Sequence, residues 1–374
     1  MRILVLAPPM GDFGGIQRYI ATLVQAFQEI AGEGAVHCEA MSEVTNVKGR
    51  GRLTARSKLS FCFRALREAV RGRADLIICA HLALGPIGWL ASGITRRPYW
   101  VVVFGIEAWI ELPWLKRMAL RHADKVLSIS EFTSEQVMKR HGLKREHMAR
   151  LPCALDERLT NIEPASVGPH QLPTDDCGMV LTVARLSSSE QYKGHDVILR
   201  ALPEVLLRVG HLVYVVAGDG DDRPRLESLA DRLGIRQNVI FTGQVSDSEL
   251  AALYRRCDIF ALPARTQIGR HEAKGEGFGI VFIEAMAFGK PVVGPDGGAP
   301  KEILHHGRHG FLVNPEDSSA VASALIDLLN HPDKARAMGL AGKEWVRQQY
   351  SFTAFRERLR GILDDSFRPC TTAH

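Results

Sequence analysis

Several features that define common protein classes are missing from this sequence of 374 residues. Its seven cysteines include no C-x-x-C pair and no metal-ligand spacing, which argues against a disulfide framework and against a zinc site. The longest apolar stretch, from His81 to Ile94, is too short and too rich in glycine to cross a bilayer, and no signal-peptide pattern opens the chain. We therefore expect reduced thiols and a cytoplasmic protein, at most peripheral on the inner face of a membrane.

Metal and dinucleotide motifs are also missing. The glycine pair Gly14-Gly15 lacks the full G-x-G-x-x-G spacing, which argues against a dehydrogenase. Three aspartates superficially resemble an Asp-x-Asp metal site, but they follow a Gly-Asp-Gly turn, and a turn that begins a helix is the favoured interpretation. They are Asp219, Asp221 and Asp222. The histidines form no metal constellation either, so we expect neither a metal nor another cofactor.

The remaining pattern is that of an α/β protein with two domains. The length favours two domains, and buried-strand runs alternate with helical spacing in both halves of the chain. Residues 161–176 interrupt this alternation with three prolines and read as a connector. We predict an N-terminal Rossmann-like domain over residues 1–165 and a C-terminal one over 166–350, with residues 351–374 as a helix that crosses back to the first domain. Two doubly wound parallel sheets would then face a central crevice, with ligands at the carboxyl ends of the strands.

The most specific segment is Glu276-Gly-Phe-Gly-Ile-Val-Phe-Ile-Glu284. Its glycines allow a ligand to approach the backbone closely, and the helix expected to begin near Gly279 would direct unsatisfied N–H groups at an anion such as a diphosphate. The two carboxylates flank that anion site and can accept hydrogen bonds from sugar or ribose hydroxyls. The alternative is that Glu276 caps the helix and Glu284 is a solvated helix residue.

This string resembles the Glu-(seven residues)-Glu motif of the retaining nucleotide-sugar glycosyltransferases of family 4, which have the GT-B fold. Further segments follow in the order of that family, and together they cover nearly the whole chain. They are Val183-Ala-Arg-Leu186, Lys193-Gly-His-Asp196, Ala217-Gly-Asp-Gly220, Phe241-Thr-Gly243, Gly297-Gly298 with Glu302-Ile303, and Gly310-Phe-Leu-Val313.

The resemblance assigns roles to individual residues of the C-terminal half. Arg185, Lys193 and Glu276 would be catalytic: the two cations would contact the donor diphosphate, and the glutamate would accept hydrogen bonds from the donor sugar. Backbone N–H groups and a ribose-binding carboxylate would complete the donor site. These donor-binding positions are Gly218, Phe278, Gly279, Ile280 and Glu284.

In the N-terminal half, Gly14 and Gly15 resemble the glycine loop of the family and would bring backbone N–H groups to the donor phosphate. The sequence departs from the family at Phe104-Gly-Ile-Glu107, because many members have a histidine where this chain has Phe104. Glu107 would bind the acceptor or orient a loop, with a solvated loop acid as the alternative. Ser130 is a second candidate for the acceptor site.

A basic segment runs from Lys48 to Arg73 and holds nine Lys or Arg residues with a single acid, Glu68. Apolar residues recur within it at helical spacing, namely Leu59, Cys62, Phe63, Leu66 and Val70. The pattern predicts a basic amphipathic helix that docks on anionic lipid, with Trp109, Pro113 and Trp114 as an aromatic edge. A core-packed helix with a solvated basic face is the equal alternative. Nucleic acid is disfavoured as a partner because few aromatic residues are interleaved for stacking.

The function we expect is transfer of a hexose, with retention, from a nucleotide diphosphate sugar to a glycan or lipid-linked acceptor. GDP-mannose is the favoured donor, with UDP-sugars close behind. Two alternatives stay open: an epimerase or phosphorylase of the same architecture, and a nucleotide-sugar-binding module without catalytic activity.

Overall fold

The computed structural model describes residues 1–11, 14–42, 44–45, 51–52, 54–167 and 177–367. Part of the glycine loop, Lys48 and Arg50 of the basic segment, much of the predicted connector and Cys370 lie outside the described residues. The chain divides into two compact units. Unit 1 contains Met1–Ala154, Gly269–Glu272 and Phe352–His374, and unit 2 contains Leu155–Ile268 and Ala273–Ser351. The first division thus follows Ala154, earlier than the predicted residue 165.

Unit 1 begins with alternating strands and helices. Its strands are β1 (Ile3–Ala7), β2 (Val36–Ala40), β3 (Val44–Thr45), β4 (Gly51–Arg52), β5 (Leu76–Cys79), β6 (Tyr99–Val103), β7 (Lys125–Ser128) and β8 (Met148–Arg150). Its first helices are α1 (Gly15–Ala31), α2 (Ala55–Arg71), α3 (Gly85–Thr95), α4 (Trp114–Arg121) and α5 (Glu131–His141).

The main sheet of unit 1 is parallel and has the strand order β2-β1-β5-β6-β7-β8. Strands β1, β5 and β6 are buried at every residue. Since successive side chains of a strand point to opposite faces, both faces of the sheet centre are covered, as a doubly wound sheet requires. The strand order reverses between β1 and β5, and ligands of such sheets bind at the carboxyl ends of the strands beside this reversal.

Unit 2 repeats the alternation. Its strands are β9 (Gly178–Val183), β10 (Leu212–Ala217), β11 (Val239–Gly243), β12 (Ile259–Ala261), β13 (Gln267–Ile268), β14 (Ala273–Lys274), β15 (Val292–Pro295) and β16 (Gly310–Val313). Its helices are α6 (Glu157–Asn161), α7 (His195–Val209), α8 (Arg223–Arg232), α9 (Asp247–Arg256), α10 (Ile280–Ala287), α11 (Ser318–Asn330) and α12 (Pro332–Gln349).

The main sheet of unit 2 is also parallel, with the order β11-β10-β9-β12-β15-β16. Its apolar core joins the strands to α7, α8 and α11. The order reverses between β9 and β12, so a ligand site is expected where the loops that follow these two strands meet. The predicted fold class, two Rossmann-like α/β domains with parallel sheets, is confirmed.

The last helix, α13 (Phe352–Phe367), belongs to unit 1. It packs on α1, where the rings of Tyr19 and Phe355 meet edge to face at 5.6 Å. Arg356 of this helix pairs with Glu29 of α1 at 2.7 Å. None of the helices in the described part of the chain is long and apolar enough to cross a membrane.

Candidate functional site

The predicted donor residues collect where the sheet order of unit 2 reverses. Arg185 and Lys193 lie on the loop after β9, and Glu276 lies on the segment between β12 and α10. The two segments are joined directly, because the Arg265 N–H donates to the Tyr192 carbonyl at 2.7 Å and the Arg265 guanidinium donates to the Gln191 carbonyl at 3.2 Å. The loops therefore form one hydrogen-bonded surface at the carboxyl edge of the sheet.

Gly194 makes this close approach possible. Its φ of +80° lies in the left-handed region, and a Cβ at this position would stand 2.3 Å from the Pro263 carbonyl oxygen. Any other residue would have to adopt a disfavoured conformation and also displace the backbone after β12. The Lys-Gly pair of the predicted motif thus has a steric reason: the lysine reaches the site because the glycine lets its loop lie against the end of the neighbouring strand.

Lys193 is the centre of a charged cluster. Its ammonium donates to Glu276 Oε1 at 2.7 Å and lies 3.8 Å from Glu190 Oε2. The Lys193, Glu190 and Glu276 side chains are only 12%, 17% and 16% exposed. Arg185, by contrast, is 79% exposed and pairs with Glu190. The structure therefore brings together three residues predicted to be catalytic.

Glu190 is a member of this cluster that the sequence motifs did not indicate. It holds Arg185 on one side and Lys193 on the other, and its Oε2 atom is buried without a hydrogen bond. The sequence offered one signal for Glu190: it lies in the loop after β9, between the predicted catalytic residues Arg185 and Lys193.

The sequence alternative in which Glu276 caps the next helix is wrong. The N-cap residue of α10 is Gly279, at φ +95°, and no side chain caps the N-terminus of this helix with a hydrogen bond. Glu276 is engaged by Lys193 instead. An uncapped helix N-terminus beside a lysine is a favourable place for a negatively charged group, because the first N–H groups of a helix lack partners within it.

Glu284 lies inside α10 and is buried, with 3% of its surface exposed. The Tyr254 hydroxyl donates to its Oε2 at 3.0 Å. The alternative that Glu284 is a solvated helix residue is therefore wrong. A buried carboxylate is costly unless it is hydrogen-bonded, so this glutamate is held in place by the fold. Its assignment to ribose hydroxyls stays a prediction.

The remaining donor-site positions differ in what they offer. Phe278 is 5% exposed, and its ring packs edge to face on Tyr350 at 5.7 Å. Ile280 is half-buried at the start of α10. Gly218, at φ +144°, lets β10 end against β9, since a Cβ there would stand 1.9 Å from the Ala184 oxygen. Its N–H donates to the Gly243 carbonyl at 3.0 Å, so its observed role is close backbone packing behind Arg185.

Burial and ion pairing shape the titration of the groups around this cluster. Burial, with help from Glu276 and Glu190, raises the pKa of Tyr192. Burial alone would raise the pKa of Asp196 as well, but hydrogen bonds from Arg265 and Arg200 outweigh it and lower that pKa. The site therefore keeps Asp196 ionised and Tyr192 protonated at neutral pH.

The aspartates after β10 form a turn and a helix start, as predicted. Asp222 is the N-terminal residue that precedes α8 and pairs with Arg225 at 2.6 Å. Asp221 accepts a hydrogen bond from the Ser188 N–H at 2.9 Å. Within the described residues, no group of three or more His, Cys, Asp or Glu side chains could hold a metal ion.

Gly14 and Gly15 begin α1 of unit 1. Gly14 is the N-cap in an extended conformation, and no side chain caps this helix of 17 residues. A Cβ at Gly15 would meet nothing within 4 Å, so its surface is open. The two glycines thus follow β1 at the reversal of the unit 1 sheet, and their phosphate-binding role stays a prediction.

Phe104 occupies the position where the family resemblance led us to expect histidine, and the structure places a different histidine beside it. The His81 ring, after β5, stacks on Phe104 with centroids 5.9 Å apart. His81 Nδ1 accepts a hydrogen bond from the Ala83 N–H at 3.0 Å, so the neutral ring carries its proton on Nε2. Burial lowers the pKa of His81, Glu107 opposes that shift and Lys116 adds to it. The sequence motifs missed this residue, although it lies only two positions after the last residue of β5, Cys79.

Glu107 and Ser130 both have structural partners. Glu107 Oε1 accepts a hydrogen bond from the Phe104 N–H at 2.5 Å, which matches loop orientation rather than a solvated acid. Ser130 is 1% exposed, and its hydroxyl oxygen accepts from the Thr133 N–H at the start of α5. The structure therefore gives Ser130 a capping function, and its predicted acceptor contact has no exposed side-chain surface to use.

The basic segment does form a helix, α2, but its predicted apolar face is wrong in part. The residues of α2 that enter the core are Phe61, Ala65 and Ala69. Leu59, Phe63 and Val70 are 72%, 69% and 54% exposed. At 100° per residue these three lie on the same side of the helix as Arg56 and Arg67, so one solvent face carries both apolar and basic side chains.

Two other predictions for this region have different outcomes. Trp109, assigned to an aromatic edge, is fully buried, and its indole N–H donates to the Thr133 hydroxyl at 3.1 Å. Trp114, assigned to the same edge, is 64% exposed at the start of α4. Arg64 is not available for docking, because it pairs with Glu39 at 2.6 Å.

Comparison with known proteins identifies similar sequences for both units. A profile described as "Glycosyltransferase Family 4" matches residues 13–159, and one described as "Glycosyl transferases group 1" matches residues 170–345. A GDP-mannose-dependent alpha-(1-6)-phosphatidylinositol monomannoside mannosyltransferase of Mycolicibacterium smegmatis is 33% identical over 292 residues, which cover 76% of this chain and 74% of that protein. The enzyme of the same description from Mycobacterium tuberculosis is 40% identical over 190 residues, and the match spans only 49% of its length.

Solved structures share the fold. Anabaena HepE in complex with UDP aligns with a TM-score of 0.74 at 20% identity and covers 98% of this chain and 100% of its own. Sucrose-phosphate synthase from Thermosynechococcus elongatus aligns with a TM-score of 0.76 at 20% identity and covers 98% and 99%.

Proposed function

This chain belongs to glycosyltransferase family 4, and from that membership we propose that it transfers mannose from GDP-mannose, with retention, to a lipid-linked glycan. The observation that carries the proposal is the Lys193–Glu276 pair at the sheet reversal of unit 2, beside the uncapped N-terminus of α10. It combines a cation for a diphosphate with a carboxylate for sugar hydroxyls. GDP-mannose is chosen because relatives covering up to three quarters of the chain are described as using it.

In the proposed reaction, the bond between the anomeric carbon and the diphosphate oxygen breaks, and its electron pair stays on the diphosphate. Lys193, Arg185 and the α10 N-terminus stabilise the charge that develops there, as preorganised groups do in electrostatic catalysis. The acceptor hydroxyl oxygen forms the new bond to the anomeric carbon, on the face from which the diphosphate leaves. The proton of that hydroxyl passes to the leaving diphosphate. Glu276 holds the sugar, and no side chain forms a covalent intermediate.

Donor binding would change the partners of Lys193. Its ammonium is now shared by Glu276 at 2.7 Å and Glu190 at 3.8 Å. An arriving diphosphate supplies a stronger partner, and sugar hydroxyls can donate to the carboxylate that the lysine gives up. The ion pair therefore keeps both side chains oriented and compensated until the donor replaces their mutual contact.

For the acceptor, we propose a mannosylated phosphatidylinositol or a closely similar anionic glycolipid. The relatives are described as acting on phosphatidylinositol monomannoside. The mixed apolar and basic face of α2 suits an anionic lipid surface, because cations attract the headgroups while Leu59 and Phe63 can enter the apolar boundary.

A transfer assay tests the proposal. The full chain is incubated with GDP-mannose or UDP-glucose and with mannosylated phosphatidylinositol in mixed micelles, and the product is analysed by mass spectrometry and by NMR of the new anomeric linkage. We expect a mannosylated product from GDP-mannose with the α configuration of the donor. An inverted linkage would contradict the proposed retention of configuration. Donor binding without any product would favour a nucleotide-sugar-binding module without catalytic activity. Release of free GDP without an acceptor would support a transferase over an epimerase.

The same assay addresses the metal question. Because fixed cations are available to the diphosphate, we predict that transfer continues in EDTA at an unchanged rate. Loss of activity in EDTA that Mg²⁺ or Mn²⁺ restores would contradict this prediction.

A further inference from the structure

Exposed apolar side chains are concentrated on three neighbouring helices of unit 1. Of the twelve large hydrophobic residues that are exposed among the described residues, seven lie on α2, α3 and α4. They are Leu59, Phe63, Val70, Leu90, Ile94, Trp114 and Leu115. Of these seven, Leu90, Ile94 and Leu115 line one groove, whereas the three residues of α2 lie on its solvent face. Scattered exposed hydrophobics are ordinary, but apolar residues that share a groove mark an interaction surface.

Helix α3 packs against both α2 and α4, and an open groove of about 890 Å³ follows it. The wall from α3 is formed by Pro86, Ile87, Trp89, Leu90 and Ile94. The opposite walls include Phe61 and Cys62 of α2 and Leu115 of α4. Such a volume is typical of small-molecule sites.

The groove begins beside the carboxyl edge of the unit 1 sheet. Ala83 and Leu84, which line it, directly follow the loop after β5 and adjoin His81. From Pro86 to Ile94 the α3 wall extends for about 12 Å at 1.5 Å per residue. A ligand with its polar end at the sheet edge can therefore place an extended apolar tail along α3.

The charges of the groove indicate the polar end of that ligand. The only charged side chains among the described lining residues are Lys58 of α2 and Lys116 of α4. A peptide would bury polar backbone groups against these apolar walls without partners, whereas a hydrocarbon chain has none to satisfy. Two cations beside an apolar groove are complementary to an anionic headgroup joined to an acyl chain.

We propose that the groove of α2, α3 and α4 binds one acyl chain of the anionic glycolipid acceptor. This inference rests on the proposed function for the identity of the acceptor, and it assigns recognition of the lipid tail to unit 1. The headgroup would lie toward His81 and the loop after β5, with Lys58 and Lys116 beside it.

Binding is measured by isothermal titration of the full chain with dioctanoyl phosphatidylinositol below its micelle concentration, and with glycerophosphoinositol, which has the headgroup without chains. Gly93 lies on the groove, and a Cβ there would meet nothing within 4 Å, so Gly93→Phe introduces a ring into the groove from an open position. Gly361→Phe is the matched control, because Gly361 is an exposed glycine of α13 with nothing within 4 Å.

We expect the acylated ligand to bind at least tenfold more tightly than glycerophosphoinositol. Gly93→Phe should weaken that binding at least tenfold, and Gly361→Phe should leave it unchanged. Leu90→Gln, at a position 52% exposed, provides a second test if Gly93→Phe does not fold, with the exposed Leu207→Gln as its control. Equal affinity for the two ligands, or normal lipid binding by both groove variants, would overturn the proposal. Concentration-dependent dimers that Gly93→Phe abolishes, without any lipid effect, would assign the groove to a second copy of the chain.

Failure of the groove can be separated from failure of the proposed function. Transfer of mannose to a deacylated, water-soluble mannosyl-inositol acceptor should be the same for Gly93→Phe and the unaltered chain. If transfer to the lipid acceptor also stays unchanged in Gly93→Phe, the groove assignment is overturned while the transferase stands. If neither acceptor is mannosylated by the unaltered chain, it is the proposed function that fails.

Discussion

We predict that Glu276 is needed for the chemistry and is dispensable for folding. It is 16% exposed, and its hydrogen bond to Lys193 is its principal contact within the cluster. Glutamine preserves its shape and can still accept that hydrogen bond, but it removes the charge that favours Lys193 and the sugar hydroxyls. The glutamate can therefore be tested without disturbing the loop that carries it.

For Glu276→Gln we predict a fall in kcat of roughly 10²–10³, the range for one preorganised charged contact in a transition state. The melting temperature should change little. Glu316→Gln is the control, since Glu316 is an exposed acid of unit 2. Steady-state kinetics and thermal unfolding of the three proteins check this. Near-normal turnover by a folded Glu276→Gln variant would show that Glu276 has no role in the reaction.

His195 makes the stability of unit 2 sensitive to pH. It is 4% exposed at the start of α7, and burial, assisted by the charge of Lys193, lowers its pKa from 6.5 to about 4. Its Nε2 atom is buried without a hydrogen-bond partner among the described residues. The folded chain therefore disfavours the protonated imidazole, which the unfolded chain accepts readily.

The sign of the effect follows. Stability from the neutral His195 is fully present above pH 6.5 and is lost as the pH falls toward 4. The lowered pKa corresponds to about 3 kcal/mol of unfolding free energy at most. We predict that His195→Gln, which cannot titrate, reduces the dependence of unfolding free energy on pH between 6.5 and 4 by a large part of that amount. The unfolding free energy of both proteins is measured by urea unfolding at several pH values. If it changes with pH equally in the two proteins across this range, the prediction is wrong.

At the scale of elements, the site depends on the fit between the loop after β9 and the end of β12. Gly194 permits this fit, because a side chain there would meet the Pro263 carbonyl at 2.3 Å. Gly234, which follows α8, has a similar φ of +68°, but a Cβ there would meet nothing within 4 Å. The two glycines therefore separate the cost of left-handed backbone from the cost of the contact.

We predict that Gly234→Ala lowers the unfolding free energy by about 1–2 kcal/mol, the cost of left-handed backbone for a residue with a Cβ. Gly194→Ala should lower it by more, and should also weaken GDP-mannose binding, because the loop that carries Lys193 must move. Urea unfolding and titration with the donor check both. If the two variants lose equal stability and bind the donor normally, the contact with Pro263 does not position the site.

Helix α2 shows a second effect at this scale. Its solvent face presents Leu59, Phe63 and Val70 next to Arg56 and Arg67. Apolar positions at helical spacing do not reveal which of two opposite stripes is buried, since Phe61 and Ala65 lie on one and Leu59 and Phe63 on the other. The burial of the smaller stripe leaves the larger side chains exposed, which favours a role outside the core.

For the whole molecule, the basic face of unit 1 predicts association with anionic membranes. Surface charges attract anionic lipid by about 1 kcal/mol for each basic residue near the headgroups, and salt screens the attraction over about 10 Å at 0.1 M. Arg56, Arg67 and Arg71 are exposed on α2, and Arg67 also pairs with its neighbour Glu68 at 2.9 Å. Arg64 is less exposed and is engaged by Glu39.

We therefore predict that the chain sediments with vesicles containing phosphatidylinositol at low salt and less so at high salt. The triple variant Arg56→Glu, Arg67→Glu and Arg71→Glu should lose at least tenfold in vesicle affinity. A control with the same charge change on exposed residues of unit 2, Arg208→Glu, Arg232→Glu and Lys343→Glu, should retain it. If vesicle affinity does not change with salt or with the triple substitution, the basic face of α2 is a solvated surface without a role in membrane binding. Transfer to a water-soluble acceptor should be alike in all three proteins.

Much of the fold and of the donor motif was determined by the sequence alone. Continuous apolar runs such as Arg2–Pro8 and Tyr99–Val103 predicted buried parallel strands, since only strands covered on both faces need them. The structure places β1 at Ile3–Ala7 and β6 at Tyr99–Val103. The order of the motifs around Arg185, Lys193 and Glu276 predicted which loops carry the donor residues. These features are local or periodic, so a linear sequence records them.

What the tertiary structure decided depends on residues distant in the chain. The pairing of Lys193 with Glu276 spans 83 positions, and the recruitment of Glu190 between Lys193 and Arg185 depends on how that loop folds back. The burial of Trp109 and Glu284 and the stacking of His81 on Phe104 likewise depend on which neighbours pack beside them. Helical spacing predicted that α2 is amphipathic. Which face is buried, the one with Phe61 and Ala65, depends on packing against the core, because burial is a property of the assembled unit and not of the segment.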